Sequence, residues 1–124
     1  MTDRNWMWRL TGNGGHYERG DIIVHRDRRA LTAARADEDE RIVRYVAALD
    51  ETTLSGLHSY TTTKGKPFEQ RRREILASLF NHQTHHRGQA HSILSIVTGR
   101  EPPPLDLLAF QRGTAAPDLR TLIA

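Results

Sequence analysis

Two long segments of the chain carry hydrophobic residues at intervals of three to four positions. This spacing places them on one face of an α-helix and predicts helices over about 27–49 and about 72–98. Asp27 suits the N-cap of the first helix, and Gly99 with the prolines after it ends the second. The stripe of the second helix consists of Ile75, Leu79, His82, His86, Ala90, Ile93 and Val97, and that of the first of Leu31, Ala34, Ile42, Tyr45, Val46 and Leu49.

Shorter patterns predict the remaining elements. Residues 3–11 are expected to form the end of a helix, which a glycine cluster then stops. Residues 57–63 are rich in β-formers and a Lys-Gly-Lys-Pro turn follows, which predicts a short β-hairpin before the last long helix. Residues 105–110 are expected to add one or two helical turns, and residues 113–124 a loosely ordered tail. The predicted fold class is mainly α.

Four of the seven histidines fall within residues 81–91, inside the longest predicted helix. His82 and His86 are one helical turn apart, so both imidazoles can reach one ion. They also occupy positions in the hydrophobic stripe, where a buried polar group without a partner costs about 1–3 kcal/mol. A shared metal ion would satisfy both rings at once. Hydrogen bonds to neighbouring helices, without a metal, are an alternative of equal weight.

Several side chains are candidates for supporting roles around this pair. His85 and His91 lie off the stripe and are interpreted as surface residues or as residues that support the ligands from outside. Arg87 and Gln89 flank the pair and could orient a substrate or hydrogen-bond to the ligands. Glu38 interrupts the stripe of the first long helix. A carboxylate there is usually salt-bridged, but Glu38 is also the nearest candidate to replace a missing metal ligand. The pattern identifies no catalytic residue.

Composition narrows the class of protein. With 124 residues, 37% of them hydrophobic, and a mean hydropathy of −0.62, the chain is expected to form a single domain over 1–124 with a thin core. No run approaches the roughly 20 apolar residues of a membrane span, and the start lacks the apolar segment of a signal peptide, so a soluble cytoplasmic protein is expected. The absence of cysteine leaves nitrogen and oxygen atoms as the available metal ligands.

The net charge of +3 and a pI of about 9.8 raise the question of nucleic-acid binding. Over residues 35–44, however, basic and acidic residues are interleaved as on a solvated helix face. The one basic run is Arg71-Arg72-Arg73, and no helix-turn-helix, zinc-finger or RNP signature accompanies it. Nucleic-acid binding is therefore the hypothesis with the least support.

The segment LFNHQTHHRGQAHSIL, followed by a glycine, a proline run and PLDLLAFQR, resembles the C-terminal half of the DinB/YfiT-like (damage-inducible) proteins. The resemblance extends over about residues 3–112. It implies a four-helix bundle that binds a divalent ion, Zn²⁺ or Ni²⁺, through His82, His86 and a third ligand on the second helix. Asp3 to Leu10 looks like the end of that second helix, so the third ligand has no matching position. We therefore expect an incomplete DinB-like four-helix bundle, truncated at its N-terminus relative to the family.

The resemblance implies a metal-binding protein and, by extension, a divalent-metal-dependent enzyme acting on a small molecule, either a thiol-dependent transferase or a hydrolase. A zinc peptidase is disfavoured, because Gln83 stands where the HExxH motif has its proton-accepting glutamate. The alternatives are a non-catalytic helical oligomerisation fragment with a degenerate metal site and a basic nucleic-acid-binding protein. Two long helices would leave hydrophobic flanks uncovered, and DinB-like proteins are often dimers, so a homodimer is expected.

Overall fold

The computed structural model describes residues 2–19 and 22–113. Within them the chain is mainly helical, with a two-stranded hairpin just before the longest helix, as the hydrophobic pattern predicts. The tail predicted over 113–124 lies outside the described residues, apart from Gly113. The helices are α1 (Thr2–Thr11), α2 (Arg28–Ala47), α3 (Glu51–Ser55), α4 (Arg72–Thr98) and α5 (Leu107–Gln111), and the strands are β1 (Leu57–Thr61) and β2 (Pro67–Arg71).

The start of α2 and the end of α4 lie where their capping residues predict. The Asp27 carboxylate accepts a hydrogen bond of 2.7 Å from the backbone N–H of Ala30, which satisfies one of the free donors at the start of α2. At the end of α4, Gly99 adopts a φ of 64° and donates its N–H to the carbonyl of Ser95 at 2.9 Å. A side chain would be strained at that φ, so the glycine sets the helix end.

The hydrophobic pattern does not predict α3, since five residues are too few for a helical period to show. The helix owes its start to Asp50, whose carboxylate accepts a hydrogen bond of 2.7 Å from the backbone N–H of Thr53. Hydrogen bonds from the side chain and the backbone of Thr53 lower the pKa of Asp50, because they stabilise its charged form.

Strands β1 and β2 pair antiparallel, with Tyr60 opposite Phe68 at the centre of the ladder. The turn between them uses Gly65 at a φ of 75°. Alternate residues of β1, His58 and Tyr60, are half-buried while the others are exposed. The hairpin therefore turns one face inward, and Tyr60 packs against the hydrophobic core.

The hydrophobic core is small. The chain divides into two compact units, a first unit of residues 1–80 and a second unit of residues 81–124, and the buried hydrophobic residues lie in the first. They come from α1, α2 and the first turns of α4, and partly buried residues such as Trp6 and Tyr60 pack against them. The buried set is Met7, Leu10, Ile42, Ile75, Leu76 and Leu79.

No described residue of the second unit is buried. Its large hydrophobic side chains are 49–81% exposed. The prediction that the α4 stripe faces a core along its whole length therefore holds for Ile75 and Leu79 but is wrong from His86 onward, where every residue of the stripe is exposed. None of the described helices combines the length and hydrophobicity that a membrane span requires. The exposed side chains of the second unit are Ile93, Leu94, Ile96, Val97, Leu105, Leu107, Leu108 and Phe110.

Asp27→Ala should lower the free energy of unfolding by about 1 kcal/mol, because the Ala30 N–H loses its side-chain acceptor. Asp27→Asn keeps an oxygen acceptor at the same position and should cost a fraction of that. Urea unfolding followed by circular dichroism measures both changes. A loss of stability as large in Asp27→Asn as in Asp27→Ala would contradict the capping role.

Candidate metal centre

His82 and His86 lie on one side of α4, a single helical turn apart. Their Nε2 atoms are 3.0 Å apart, and their ring planes meet at 76° with the centroids 4.4 Å apart. Both rings thus direct Nε2 toward the same point. His82 is partly buried and His86 is exposed, so the prediction that both sit deep in a packing face is wrong. The physical reason is that the second unit buries none of its described side chains.

Gln89 determines where the protons of this pair lie. Its Oε1 is 2.8 Å from Nδ1 of His86, and because an amide oxygen can only accept, His86 donates a proton from Nδ1. In the neutral ring Nε2 then carries a lone pair. That lone pair accepts the Nε2–H of His82 at 3.0 Å. A single proton therefore occupies the point on which the two nitrogens converge.

The distance between the two nitrogens fits a shared metal ion. With Zn–N bonds of about 2.0–2.1 Å, two nitrogens on one tetrahedral ion lie about 3.3 Å apart, and two at right angles about 2.9 Å apart. The observed 3.0 Å falls within that range. An ion could therefore take the place of the shared proton with a small movement of the rings, once the proton of His82 lies on Nδ1.

Two histidines are the candidate ligands that the described residues place at this position. Among them, no group of three or more His, Cys, Asp and Glu side chains is arranged to hold a metal ion. Zn²⁺ in proteins almost always binds four ligands. An ion held by His82 and His86 therefore needs at least two further donors.

Other predicted residues on α4 contact different partners. The ring of His85 meets the ring of the next residue, the second histidine of the pair, edge-on, with 5.2 Å between the two centroids. The Arg87 guanidinium donates to the hydroxyl of Thr84 at 2.9 Å, one turn back along the same helix. Nε2 of His91 lies 3.3 and 3.1 Å from the carbonyl oxygens of residues 102 and 103, so His91 joins α4 to the proline segment. Gln89 is thus the predicted supporting residue that hydrogen-bonds to the pair.

Glu38 lies in the first unit and is salt-bridged there. Its carboxylate accepts a hydrogen bond of 3.3 Å from Arg41, and its side chain is 16% exposed. It also lines a cleft of about 300 Å³ together with the hydrophobic residues Ile22 and Leu31. The contact with Arg41 matches the salt-bridged interpretation, whereas the role of Glu38 as a supplementary metal ligand stays a prediction.

The arginine run at 71–73 is divided between two elements. Arg71 belongs to β2 and donates to the carbonyl of Ser55 at 3.2 Å, whereas Arg72 begins α4 and donates to the carbonyl of Thr53 at 2.8 Å. Guanidinium groups engaged with backbone carbonyls are less available to phosphates. The geometry therefore adds no support to nucleic-acid binding.

The sequence pattern does not reveal the role of His58, which links three segments of the first unit. Its Nε2 donates to the carbonyl of Arg9 at 2.8 Å, and its Nδ1 accepts from the guanidinium of Arg72 at 3.0 Å. Because a guanidinium can only donate, His58 is neutral and carries its proton on Nε2. Burial lowers the pKa of Arg9, which also lies over the ring of Trp6 at 4.7 Å. Both nitrogens of His58 are used, so it is a structural link.

The model of the DinB family matches residues 2–119 of this chain. The matched range contains the histidine pair and Gln89. No curated protein and no solved structure was found to match.

Proposed function

We propose that this chain, which belongs to the DinB family, binds a divalent metal ion, Zn²⁺ or Ni²⁺, through Nε2 of His82 and Nε2 of His86. The observation that carries the proposal is the 3.0 Å separation of these two nitrogens. Imidazole nitrogen suits both ions, and a chain without cysteine has no thiolate to offer instead. The hydrogen bond between Gln89 and Nδ1 of His86 supports the proposal, because it keeps the proton of His86 on Nδ1 and the lone pair on Nε2, where an ion would bind.

We further propose that the bound ion serves reactions of small molecules, in the manner of a thiol-dependent transferase. A divalent ion supplies a positive charge that lowers the pKa of a bound water or thiol. The role of this chain would be to hold two imidazoles in a fixed orientation and to leave the other ligand positions of the ion open. Gln83, between the histidines, cannot take up a proton as the glutamate of a zinc peptidase does, so peptide hydrolysis has no support here.

Titration calorimetry of the full chain with Zn²⁺ and with Ni²⁺ tests the metal-binding proposal. Saturable binding at about pH 7.5, where an ordinary imidazole is mostly neutral, is the expected result. Binding should weaken as the solution is acidified, because protons compete for the same lone pairs. Absence of saturable binding of either ion would overturn the proposal.

Gln89→Leu should weaken metal binding by roughly 10–100-fold, because His86 loses the acceptor that keeps its proton on Nδ1. Arg87→Leu is the matched control: it removes a side chain of the same helix that bonds to Thr84 and not to His86, and it should leave the affinity unchanged. Equal affinities in Gln89→Leu and wild type would show that Gln89 does not orient the ligand.

A further inference from the structure

A row of residues on the second half of α4 has the spacing of a coiled-coil seam. Its positions are separated by four, three, four and three residues, the repeat that keeps a helix in contact with a partner helix. Ile93 and Ile96, at the end of the row, are 61% and 81% exposed. Such side chains on a periodic helix face normally pack against another element. The row, termed the α4 seam, consists of His82, His86, Gln89, Ile93 and Ile96.

The α4 seam carries nothing that would repel an identical surface. Between His82 and Thr98, the one Lys, Arg, Asp or Glu residue is Arg87, which lies off the seam and bonds to Thr84. A helix face that stays in water usually carries charged residues. An uncharged face four turns long is instead suited to a second copy of itself. The residues that flank the seam on both sides are Gln83, His85, Ala90, Ser92 and Val97.

The burial of residues near the start of α4 indicates whether the helices of two copies would pair in parallel or antiparallel. Ile75 and Leu79 continue the same face toward the start of α4, but they are only 2% and 0% exposed within the first unit. In an antiparallel pair centred between the histidines, Ile93 of one copy would meet Ile75 of the other, which is already covered. In a parallel pair each exposed seam residue meets its own counterpart. The exposure pattern therefore favours the parallel arrangement.

We propose that a second copy of this chain docks in parallel along the α4 seam, and that His82 and His86 of both copies bind one divalent ion together. The inference rests on the proposed function, namely that the histidine pair binds an ion. Neighbouring layers of a parallel coiled coil bring four imidazoles together, which is the number of ligands that a tetrahedral Zn²⁺ requires. An ion with six ligands would keep two positions for water or a small molecule. The second copy thus supplies the donors that the described residues of one chain do not assemble.

Zinc titration and sedimentation velocity of the full chain test the shared site. The expected result is one Zn²⁺ per two chains, a shift from monomer to dimer as zinc is added, and an apparent affinity that rises with chain concentration. Ile93→Arg places two guanidinium groups against each other in the seam and should abolish the zinc-driven dimer. Val43→Arg is the matched control, since Val43 on α2 is 65% exposed and lies off the seam, and it should behave as wild type.

Circular dichroism checks that the variants keep their helices, and tryptophan fluorescence checks that the first unit folds, because Trp6 and Trp8 both lie in it. Should Ile93→Arg alter either spectrum, Ile96→Arg takes its place. Zinc bound at one ion per monomer, with the same affinity in the seam variant, would overturn the shared site and leave the proposed function standing. Absence of saturable zinc binding in the wild type would instead overturn the proposed function, and the shared site with it.

Discussion

The double variant His82→Ala/His86→Ala is expected to lose saturable binding of Zn²⁺ and Ni²⁺ completely. The Nε2 atoms of these residues converge to 3.0 Å, and the variant removes both. Among the described residues no group of three or more ligating side chains is assembled that could replace the pair. Titration calorimetry at about pH 7.5, where an ordinary imidazole is mostly neutral, measures the loss.

His91→Ala is the matched control for this loss. His91 lies on the same helix, but its Nε2 is engaged with the carbonyl oxygens of residues 102 and 103. Its removal should therefore leave metal affinity unchanged. If the wild type and the double variant bound metal equally well, His82 and His86 would be a hydrogen-bonded pair without a role in metal binding.

The long helices are the part of the fold that the sequence predicts closely. The expected ranges of about 27–49 and 72–98 correspond to Arg28–Ala47 and Arg72–Thr98 in the structure. Both the hydrophobic period and the caps depend on residues within four positions of one another, so local sequence contains the information. Helix α3 cannot be predicted from the hydrophobic period, because its five residues span less than two helical turns.

Burial along α4 could not be predicted in the same way. A stripe tells which side chains share a face, but it does not tell what lies against that face. Ile75 and Leu79 are buried in the first unit, whereas His86 and Ile93 on the same stripe are exposed. The difference depends on whether other elements of the fold pack against each turn of the helix. The sequence of α4 alone does not contain that information.

The candidate site shows the same distinction: contacts between residues that are close in the sequence can be predicted, whereas contacts between distant residues cannot. A spacing of four residues implies neighbouring side chains on a helix, and the structure places the two imidazoles in hydrogen-bond contact. Their role as metal ligands stays a prediction. The salt-bridge partner of Glu38 is Arg41, three positions away, so this contact can also be predicted from the local sequence. The partners of His58 are 49 and 14 positions distant, so only the folded hairpin reveals them.

Leu79→Ala should lower the free energy of unfolding by about 2–5 kcal/mol. Leu79 is fully buried in a cluster of six hydrophobic side chains, and its neighbours in that cluster include Met7 and Ile75, at 0% and 2% exposure. The truncation removes methyl groups from the core and leaves a cavity that close-packed neighbours fill only in part. Since the total stability of a domain is about 5–15 kcal/mol, one substitution would remove a large share of it.

Urea unfolding followed by tryptophan fluorescence measures this loss, because Trp6 packs directly against the cluster. Val43→Ala is the matched truncation on a helix of the same unit: Val43 is 65% exposed, so its loss creates no cavity and should change the stability by less than about 0.5 kcal/mol. A small effect of Leu79→Ala, comparable to that of Val43→Ala, would contradict a core centred on the first turns of α4. A large difference between the two would show that α4 is anchored at Leu79, one turn before the first histidine of the pair.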